Sequence, residues 1–327
     1  MRLWQIAMQK MPGNVSARSE ILSKEAGRSM GKAIEGIITA VVTPFDEKEN
    51  VDEQGFRKII NYLIDSGVNG LFPVGSQGEF FALTNEEKRR LIDIAVEEAQ
   101  GRVFVMPNTG AITTRESIEL SQYAEKAGAD CVSVITPFFI SPTQDELYEH
   151  LKAICQSVNI PVLCYNNPGR TGGVALTTAT LARLAEELPN FAGVKDSSGD
   201  LTQVAEMIRL CPRDFKVIMG RDTLIYGALM YGAAGAIAAT GNVAPKLIVG
   251  IYRAFKEGSY DKAREYQREL APLRIAFGLG SFPVVVKEAL TMMGLPAGRC
   301  RKPIQPLSEE KRSQLRDILV KMGIIPK

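Results

Sequence analysis

The sequence predicts a (β/α)8 TIM barrel with a C-terminal helical layer, and three observations indicate this fold. From Gly36 onward, short apolar runs rich in β-branched residues alternate with longer amphipathic stretches. There are eight such runs, which is the number of strand–helix units that a parallel barrel needs. The alternative, a doubly wound open sheet, is disfavoured because no Gly-rich dinucleotide fingerprint follows the first run.

Each predicted strand is a short apolar run that ends in polar, glycine or proline residues. In chain order the runs are GIITAVVTP, GLFPVG, VFVMPN, CVSVITP, PVLCYNNP, FAGVKD, FKVIMG and GAIAAT. The segments between them carry helix signals. Thr84 is a candidate N-cap ahead of Glu86 and Glu87, and Gly128 is a candidate stop for the next helix.

These patterns divide the chain into three parts. Residues 1–35 form a predicted flexible N-terminal extension, which lacks the continuous apolar segment of a secretory signal. Residues 36–256 form the predicted barrel. Residues 257–327 are predicted to form helices. We expect these helices to pack on the barrel, since no Gly-, Pro- or Ser-rich linker separates them from it.

The composition disfavours several classes of function. The 39 basic and 37 acidic residues leave a net charge of +2, so neither nucleic acid nor a membrane surface is expected as a partner. No apolar run approaches the ~20 residues of a membrane span. Five scattered cysteines suit a reducing, cytoplasmic compartment. The single histidine, His150, is expected to be exposed or interfacial and gives little support for a metal site or a Ser-His-Asp triad.

Polar motifs close several predicted strands, at the face where barrels place their active sites. Lys195, at the end of strand six, is a candidate nucleophile because an amine in an apolar barrel mouth loses hydration and its pKa falls. A neutral amine can attack a ketone and form a Schiff base. The alternative is a solvent-facing lysine, or one paired with Asp196. Tyr165, at the end of strand five, is either a proton relay or a half-buried tyrosine.

Two further features are candidate carboxylate sites. A tight turn over Gly75 to Gly78 would expose backbone N–H groups, although it could equally be an ordinary βα turn. Arg170 offers a guanidinium fork, unless it makes a surface salt bridge. A flavin- or phosphate-binding barrel also stays open, because MGRDT and ATGNVAP place glycines after strands seven and eight.

In combination these motifs resemble the dihydrodipicolinate synthase and N-acetylneuraminate lyase family of Schiff-base aldolases. The resemblance runs from about Gly36 to the C-terminus. TPF at 43–45 and GSQGE at 75–79 resemble the family's first strand and its GTTGE or GSTGE loop. YNNPGRTG resembles the YNxPxRTG motif of the synthase branch, and GVKDSSGD resembles the segment around the Schiff-base lysine.

The resemblance implies a mechanism without a metal or an organic cofactor, because an iminium on Lys195 is the electron sink. Lys195 would form an imine with pyruvate or a related 2-oxo acid, and Tyr165 and Ser76 would move protons. An aldehyde would be the second substrate. The family also implies a homotetramer with Phe139 near a subunit contact. The implied substrate-binding residues are Gln77, Gly78, Arg170 and Ile237.

The identity of the aldehyde is the open part of this prediction. Arg170 favours the synthase branch, which uses L-aspartate semialdehyde. Gln77, however, replaces a threonine of that branch, and Phe139 in TPFFISP stands where the branch has a tyrosine that completes the proton relay. The alternatives are an aldolase or dehydratase of a 2-keto-3-deoxy sugar acid or other 2-oxo acid, including an N-acetylneuraminate lyase-like enzyme, and a non-catalytic 2-oxo acid binder.

The family's lysine feedback site is poorly matched in this sequence. Glu116 matches, but Lys88 and Ile112 stand where the lysine-sensitive branch has polar or histidine residues. We therefore expect no inhibition by lysine.

Overall fold

The computed structural model describes residues 33–327, and residues 34–327 form one compact unit. The predicted flexible extension, residues 1–35, therefore lies almost entirely outside the described residues. The division between barrel and C-terminal helices at residue 256 stays a prediction.

Eight parallel strands form a single sheet in the order β3-β2-β1-β8-β7-β6-β5-β4. The two end strands meet as well, through a parallel bridge between Asn108 and Ser133 and a 2.8 Å hydrogen bond from Thr109 N to Ser133 O. The sheet thus closes on itself, and the predicted (β/α)8 barrel is confirmed. The strands are β1 Gly36–Ala40, β2 Gly70–Phe72, β3 Phe104–Val105, β4 Val132–Ile135, β5 Val162–Asn166, β6 Phe191–Asp196, β7 Lys216–Met219 and β8 Gly235–Ala238.

Helices follow the strands around the outside of the barrel. Thr84 caps the second helix through a capping box with Glu87, and Gly128 ends the third with φ +94°, as the sequence predicts. In chain order the described helices are α1 Glu53–Asp65, α2 Asn85–Ala99, α3 Thr114–Ala127, α4 Gln144–Ser157, α5 Thr178–Glu187, α6 Leu201–Leu210, α7 Ile225–Tyr231, α8 Pro245–Lys256, α9 Tyr260–Ala276, α10 Val284–Met292 and α11 Glu309–Lys321.

The strands are buried because helices cover their outer faces and side chains fill the barrel interior. All five residues of β1 and all five of β5 are buried. The C-terminal helix α9 packs on α8 and on the turn after β7, where Gln267 Nε2 donates a 2.9 Å hydrogen bond to Asp222 O. The C-terminal helical layer therefore reaches the end of the barrel at which the strands have their carboxyl ends.

The sequence predicts an exposed or interfacial His150, and the structure places it buried on α4, in contact with the neighbouring helix α3. Its Nδ1 lies 2.9 Å from Thr114 Oγ1, and burial lowers the pKa of the imidazole to about 4. A helical pattern shows which face a residue lies on but not how deeply the neighbouring helix covers it.

No single helix in residues 33–327 combines the length and the apolar composition needed to cross a membrane. One pair of segments, Tyr260–Leu279 and Val284–Met292, meets both conditions together but bends by 117° between its halves.

Candidate active site

Lys195 lies at the carboxyl end of β6, in register with Tyr165 on the neighbouring strand β5. In-register residues of parallel strands project to the same face, so both side chains enter the barrel mouth. The Lys195 Nζ atom lies 3.8 Å from the centroid of the Tyr165 ring and 4.0 Å from that of Phe72. Only 4% of Lys195 is exposed. The amine is therefore held among aromatic rings rather than in solvent.

The acidic neighbour Asp196 does not pair with Lys195. Its carboxylate accepts hydrogen bonds from Asn166 Nδ2 at 3.0 Å and from Ser198 Oγ at 2.6 Å. Successive strand residues point to opposite faces, so Asp196 faces away from the amine. The two alternative interpretations of Lys195, a solvent-facing side chain and a pair with Asp196, are both wrong.

The environment of Lys195 and Tyr165 changes the pKa of both groups. Burial lowers the pKa of the Lys195 amine, and Tyr165 and Asp222 oppose this only in part. Burial alone would raise the pKa of the Tyr165 phenol, but the charge of Lys195 and hydrogen bonds from its neighbours outweigh it and lower the pKa. The lower pKa of the amine makes the loss of its proton easier, and the neighbouring phenol can relay that proton.

Tyr165 sits in a short chain of hydrogen bonds. Its hydroxyl lies 3.3 Å from Ser76 Oγ, and it accepts a 2.8 Å hydrogen bond from Asn167 Nδ2. Asn167 belongs to the YNNPGRTG motif, but its role could not be predicted from the sequence. The structure places it where it orients the phenol.

The loop after β2 forms a 3-10 turn over Ser76–Gly78. Within residues 33–327, the backbone N–H groups of Ser76 and Gln77 have no acceptor. The turn is flanked by left-handed backbone at Val74, with φ +58°, and at Glu79, with φ +56°. Left-handed backbone is costly for both residue types, above all for a β-branched one. Such strain next to unused N–H donors is typical of an anion-binding turn.

Glu79 anchors this turn to the C-terminal layer. The Glu79 carboxylate is fully buried and accepts a 2.8 Å hydrogen bond from Lys287 Nζ of α10 and a 3.0 Å hydrogen bond from Arg301 N. On the other side of the turn, Thr43 Oγ1 donates to Gly78 O at 2.7 Å. The sequence gives no local signal for the pair, because Glu79 and Lys287 are 208 residues apart.

Six of the seven predicted site residues line one cavity of about 400 Å³. Gly78 is the exception and forms the turn beneath the cavity, where an added Cβ would lie 2.9 Å from Val41 O. The lining residues predicted from the sequence are Ser76, Gln77, Tyr165, Arg170, Lys195 and Ile237.

Within the described residues, the side chains of Gln77 and Arg170 make no hydrogen bond or ion pair to another side chain. Gln77 is buried, and neither its side-chain nitrogen nor its side-chain oxygen has a hydrogen-bond partner within residues 33–327. An unpaired buried amide is costly, so its partner in the working site would be a ligand or water. Arg170 lies exposed at the cavity mouth, with its guanidinium carbon 4.5 Å from the centroid of the Phe282 ring.

Three charged residues of the same cavity are absent from the sequence-based prediction of the site: Arg221, Asp222 and Arg274. Arg221 and Asp222 belong to the MGRDT segment, of which only the glycine enters the sequence-based prediction. Arg274 comes from α9, a helix with no pattern that would indicate a site. Arg221 and Asp222 directly follow β7, so they could be found from that strand end. Arg274 could not be found in this way, because α9 reaches the cavity only through the tertiary fold.

The adjacent phenylalanines after β4 have different surroundings. Phe138 packs edge-on against Phe80, with ring centroids 5.5 Å apart. Phe139 is 95% exposed and has φ +71°, a strained backbone for an aromatic residue. Phe139 therefore projects from the surface instead of packing within this chain.

Two further observations concern ligands other than a 2-oxo acid. No cluster of three or more His, Cys, Asp or Glu side chains suited to a metal ion occurs in the part of the chain that the structure describes. Lys88 Nζ lies 3.6 Å from the Glu116 carboxylate, so an ammonium of the protein itself already neighbours that acid.

Comparisons with known proteins agree with this geometry. The model of the dihydrodipicolinate synthetase family matches residues 33–322. A 4-hydroxy-tetrahydrodipicolinate synthase from Methanopyrus kandleri is 40% identical over 298 residues, which cover 91% of this chain and 99% of the relative. A protein of the same name from Nitratidesulfovibrio vulgaris is 42% identical over 290 residues, with 89% and 99% covered.

Solved structures give the same result. The dihydrodipicolinate synthase from Aquifex aeolicus superposes with a TM-score of 0.86 at 34% identity, covering 89% of this chain and 99% of the other. A synthase from Acinetobacter baumannii, solved in complex with pyruvate, gives a TM-score of 0.86 at 36% identity, with 90% and 100% covered. With a family match along nearly the whole described chain and relatives of this identity, the protein belongs to the dihydrodipicolinate synthetase family.

Proposed function

We propose that this protein is a pyruvate-dependent lyase of the 4-hydroxy-tetrahydrodipicolinate synthase type, which condenses pyruvate with L-aspartate semialdehyde. The observation that carries the proposal is the setting of Lys195: a buried amine with a lowered pKa, beside a phenol and facing a cavity. Two relatives that match this chain over 99% of their own length are named as 4-hydroxy-tetrahydrodipicolinate synthases, and they support the choice of reaction.

In the proposed reaction, neutral Lys195 attacks the ketone carbon of pyruvate. Tyr165, hydrogen-bonded to Ser76, passes protons to and from the carbinolamine until water leaves and the iminium forms. The free N–H groups of Ser76 and Gln77 hold the pyruvate carboxylate, close to Ile237. Loss of a methyl proton then gives an enamine, whose carbon adds to the aldehyde.

Arg170 would receive the aldehyde at the cavity mouth. A guanidinium fork can bind a carboxylate with two parallel hydrogen bonds, and stacking on Phe282 restricts the orientation of the fork. The iminium supplies the electron sink of the reaction, so the proposal requires no metal and no organic cofactor.

Reduction with borohydride in the presence of pyruvate tests the reaction class. We expect a pyruvyl adduct on the peptide that contains Lys195 and none on the peptide that contains Lys287, the other buried lysine of the site region. An unmodified Lys195 under conditions that label a known pyruvate lyase would overturn the proposal.

A second candidate function is cleavage or dehydration of a longer 2-oxo acid, such as a 2-keto-3-deoxy sugar acid. The observation that favours it is the unpaired Gln77 amide, since a substrate hydroxyl can satisfy both its donor and its acceptor. Turnover of L-aspartate semialdehyde with pyruvate, measured beside a panel of such acids, separates the two functions. A non-catalytic binder would have no need of a reactive amine.

We also propose a cytoplasmic homotetramer. Two apolar patches are exposed at different positions around the barrel, and two separate interfaces are what a tetramer with three two-fold axes requires. Light scattering tests the assembly: a monomer at micromolar concentration would overturn it. One patch lies on the loops after β2 and β4 and consists of Phe81, Phe139 and Ile140. The other lies on α6 and α7 and consists of Leu210, Met230 and Tyr231.

A further inference from the structure

A second cavity, of about 510 Å³, lies between the loop after β1, helix α10 and the start of α11. It shares no lining residue with the cavity at Lys195, and the proposed reaction gives it no role. Buried apolar side chains form part of its wall, namely Phe45, Val284, Ala297 and Leu307. An apolar wall of this kind favours a ligand with an apolar body.

The walls of this cavity contain groups that anchor the turn proposed to bind the pyruvate carboxylate. Lys287 lines the cavity and donates to Glu79 Oε1 and to Thr43 O, each at 2.8 Å. Thr43 in turn donates from Oγ1 to Gly78 O at 2.7 Å. The third proton of Lys287 goes to the backbone oxygen of Arg299, another lining residue, at 2.7 Å. A ligand that holds these walls together therefore also acts on the turn.

The charged side chains of the cavity leave an excess of two negative charges. Four acids and three bases line it. Arg312 Nε is paired with Glu288 at 3.2 Å, and Lys287 is paired with Glu79, which lies outside the lining. Three acids and one base of the lining then remain, and the difference between them is two: Asp46, Glu47, Glu309 and Arg299.

Two of these acids have no partner in the described chain. Within residues 33–327, neither Glu47 nor Glu309 makes a side-chain hydrogen bond or an ion pair. The Asp46 carboxylate, by contrast, accepts hydrogen bonds from Asn50 N at 2.8 Å and from Asn50 Nδ2 at 3.0 Å. Glu47 follows β1 and Glu309 opens α11, so the two free carboxylates come from different walls. A ligand with a cation at each end can pair with both.

These features together select the chemistry of the ligand. A neutral ligand would leave both excess charges of the cavity unmatched, and a single ammonium would leave one. An α,ω-diamine carries two ammonium groups on a polymethylene chain. Its charges match the two free carboxylates, and its chain can cover the apolar wall at Val284 and Leu307.

We propose that this second cavity is a regulatory site for α,ω-diamines, and that its occupation lowers the KM for pyruvate at Lys195. The binding stands apart from the proposed function, but the effect on pyruvate rests on it. The ligand connects the loop after β1 with α11, and Lys287 joins the cavity wall to the anchor of the turn. Two sites that share a fixed element in this way are coupled in their free energies of binding.

A matched set of five-carbon probes tests the site. The probes 1,5-diaminopentane, n-pentylamine and 1,5-pentanediol have the same chain and differ in charge. In titration calorimetry with the full chain, we expect the diamine to bind about fivefold more tightly than the monoamine, since one exposed ion pair contributes modestly. The diol should bind more weakly than either. Diol binding as tight as that of the diamine, or no diamine binding at millimolar concentration, would overturn the proposal.

The effect on pyruvate is measured by borohydride trapping at increasing pyruvate concentration. Saturating 1,5-diaminopentane should lower the pyruvate concentration that gives half-maximal labelling of Lys195 about fivefold. The control is n-pentylamine at twice the concentration, because free amines also form imines with pyruvate in solution. A bound diamine that leaves this midpoint unchanged would overturn the regulatory role.

Two variants place the effect on the free carboxylates. Glu47→Gln and Glu309→Gln should each remove the preference for the diamine over the monoamine. Glu310→Gln is the control, because it removes the same charge from an exposed position of α11 outside the cavity lining. Formation of the pyruvyl adduct without diamine shows that each variant is folded. A preference that survives both substitutions would contradict the assignment.

Failure of this inference can be told from failure of the proposed function. A wild-type protein that forms the pyruvyl adduct but does not bind the diamine would overturn the regulatory site alone. A protein that binds the diamine but forms no adduct would overturn the proposed function and, with it, the effect on pyruvate.

Discussion

Lys195 and Lys287 are both buried, and they differ in what surrounds the ammonium group. Lys287 is 1% exposed and donates to Glu79 Oε1 at 2.8 Å, to Thr43 O at 2.8 Å and to Arg299 O at 2.7 Å. All three of its protons have acceptors. Lys195 is 4% exposed and lies against two aromatic rings, with a cavity in front of it.

Burial lowers the pKa of both amines, so burial alone does not make a nucleophile. Lys287 is held as an ammonium by a full set of acceptors, and its lone pair is never available. Lys195 lacks such a set, and its neighbour Tyr165 can take up the proton that the amine must lose. The difference between a structural lysine and a reactive one therefore lies in hydrogen-bond saturation.

The largest expected effect comes from removing the reactive amine. Lys195→Met should lower the rate of condensation of pyruvate with L-aspartate semialdehyde on the order of 10⁴-fold or more, because no iminium can form. The free energy of unfolding should change little or rise, since an apolar side chain replaces a buried amine. Initial rates and urea unfolding measure the two quantities, and a variant within about tenfold of the wild-type rate would contradict the assignment.

Removing the ammonium of Lys287 should instead lower the free energy of unfolding and leave imine formation possible. Lys287→Met leaves the Glu79 carboxylate buried without its partner, which we expect to cost about 3–5 kcal/mol in the free energy of unfolding. The pyruvyl adduct on Lys195 should still form in the folded fraction, with a higher KM for pyruvate because the turn over Ser76–Gly78 is less firmly held. An unchanged urea midpoint would show that the ion pair does not anchor the turn.

A double variant sharpens this second test. Glu79→Gln together with Lys287→Met removes both charges, so it should recover part of the stability that Lys287→Met loses. The coupling between the two changes, taken from a double-mutant cycle, separates the ion pair from simple loss of packing.

Tyr165→Phe should lower kcat by about 10²–10⁴-fold, because the amine loses its proton relay while the aromatic packing is kept. Ser76→Ala is the companion variant and should have a smaller effect, since its hydroxyl only contacts the phenol, at 3.3 Å. Both are measured with saturating pyruvate. Full activity in Tyr165→Phe would mean that the proton reaches Lys195 by another route.

A smaller effect is expected in the pH dependence of imine formation. The pKa of Lys195 lies below its usual value of 10.5, so the rate of adduct trapping should rise with pH and level off below that value. Between the folded and the unfolded pKa the unfolded chain binds more protons, so this group makes the free energy of unfolding rise with pH there. A midpoint at or above 10.5 would contradict a desolvated amine.

The smallest expected effect concerns free lysine. Because Lys88 already lies 3.6 Å from Glu116, we expect no change in rate with added L-lysine up to millimolar concentrations. Strong inhibition at sub-millimolar lysine would refute this prediction.

Sequence reasoning reached the fold and the residues of the strand ends because those features are local. The alternation of short apolar runs with longer amphipathic stretches indicates the barrel, and Tyr165 and Lys195 fall at the ends of apolar runs. The partners that come from the C-terminal layer could not be found in this way. Lys287 and Arg274 belong to helices whose amphipathic pattern is ordinary, and only the closed barrel brings them to Glu79 and to Arg170.

The tie between Glu79 and α10 also limits how this enzyme could be shortened. A protein ending at Lys256 would keep all eight strands and every residue proposed for the chemistry at Lys195. It would nevertheless lack Lys287 and Arg301, so the strained backbone at Glu79 would lose both of its anchors. The shortest version of this barrel that keeps both contacts to the Glu79 carboxylate therefore extends through residue 301.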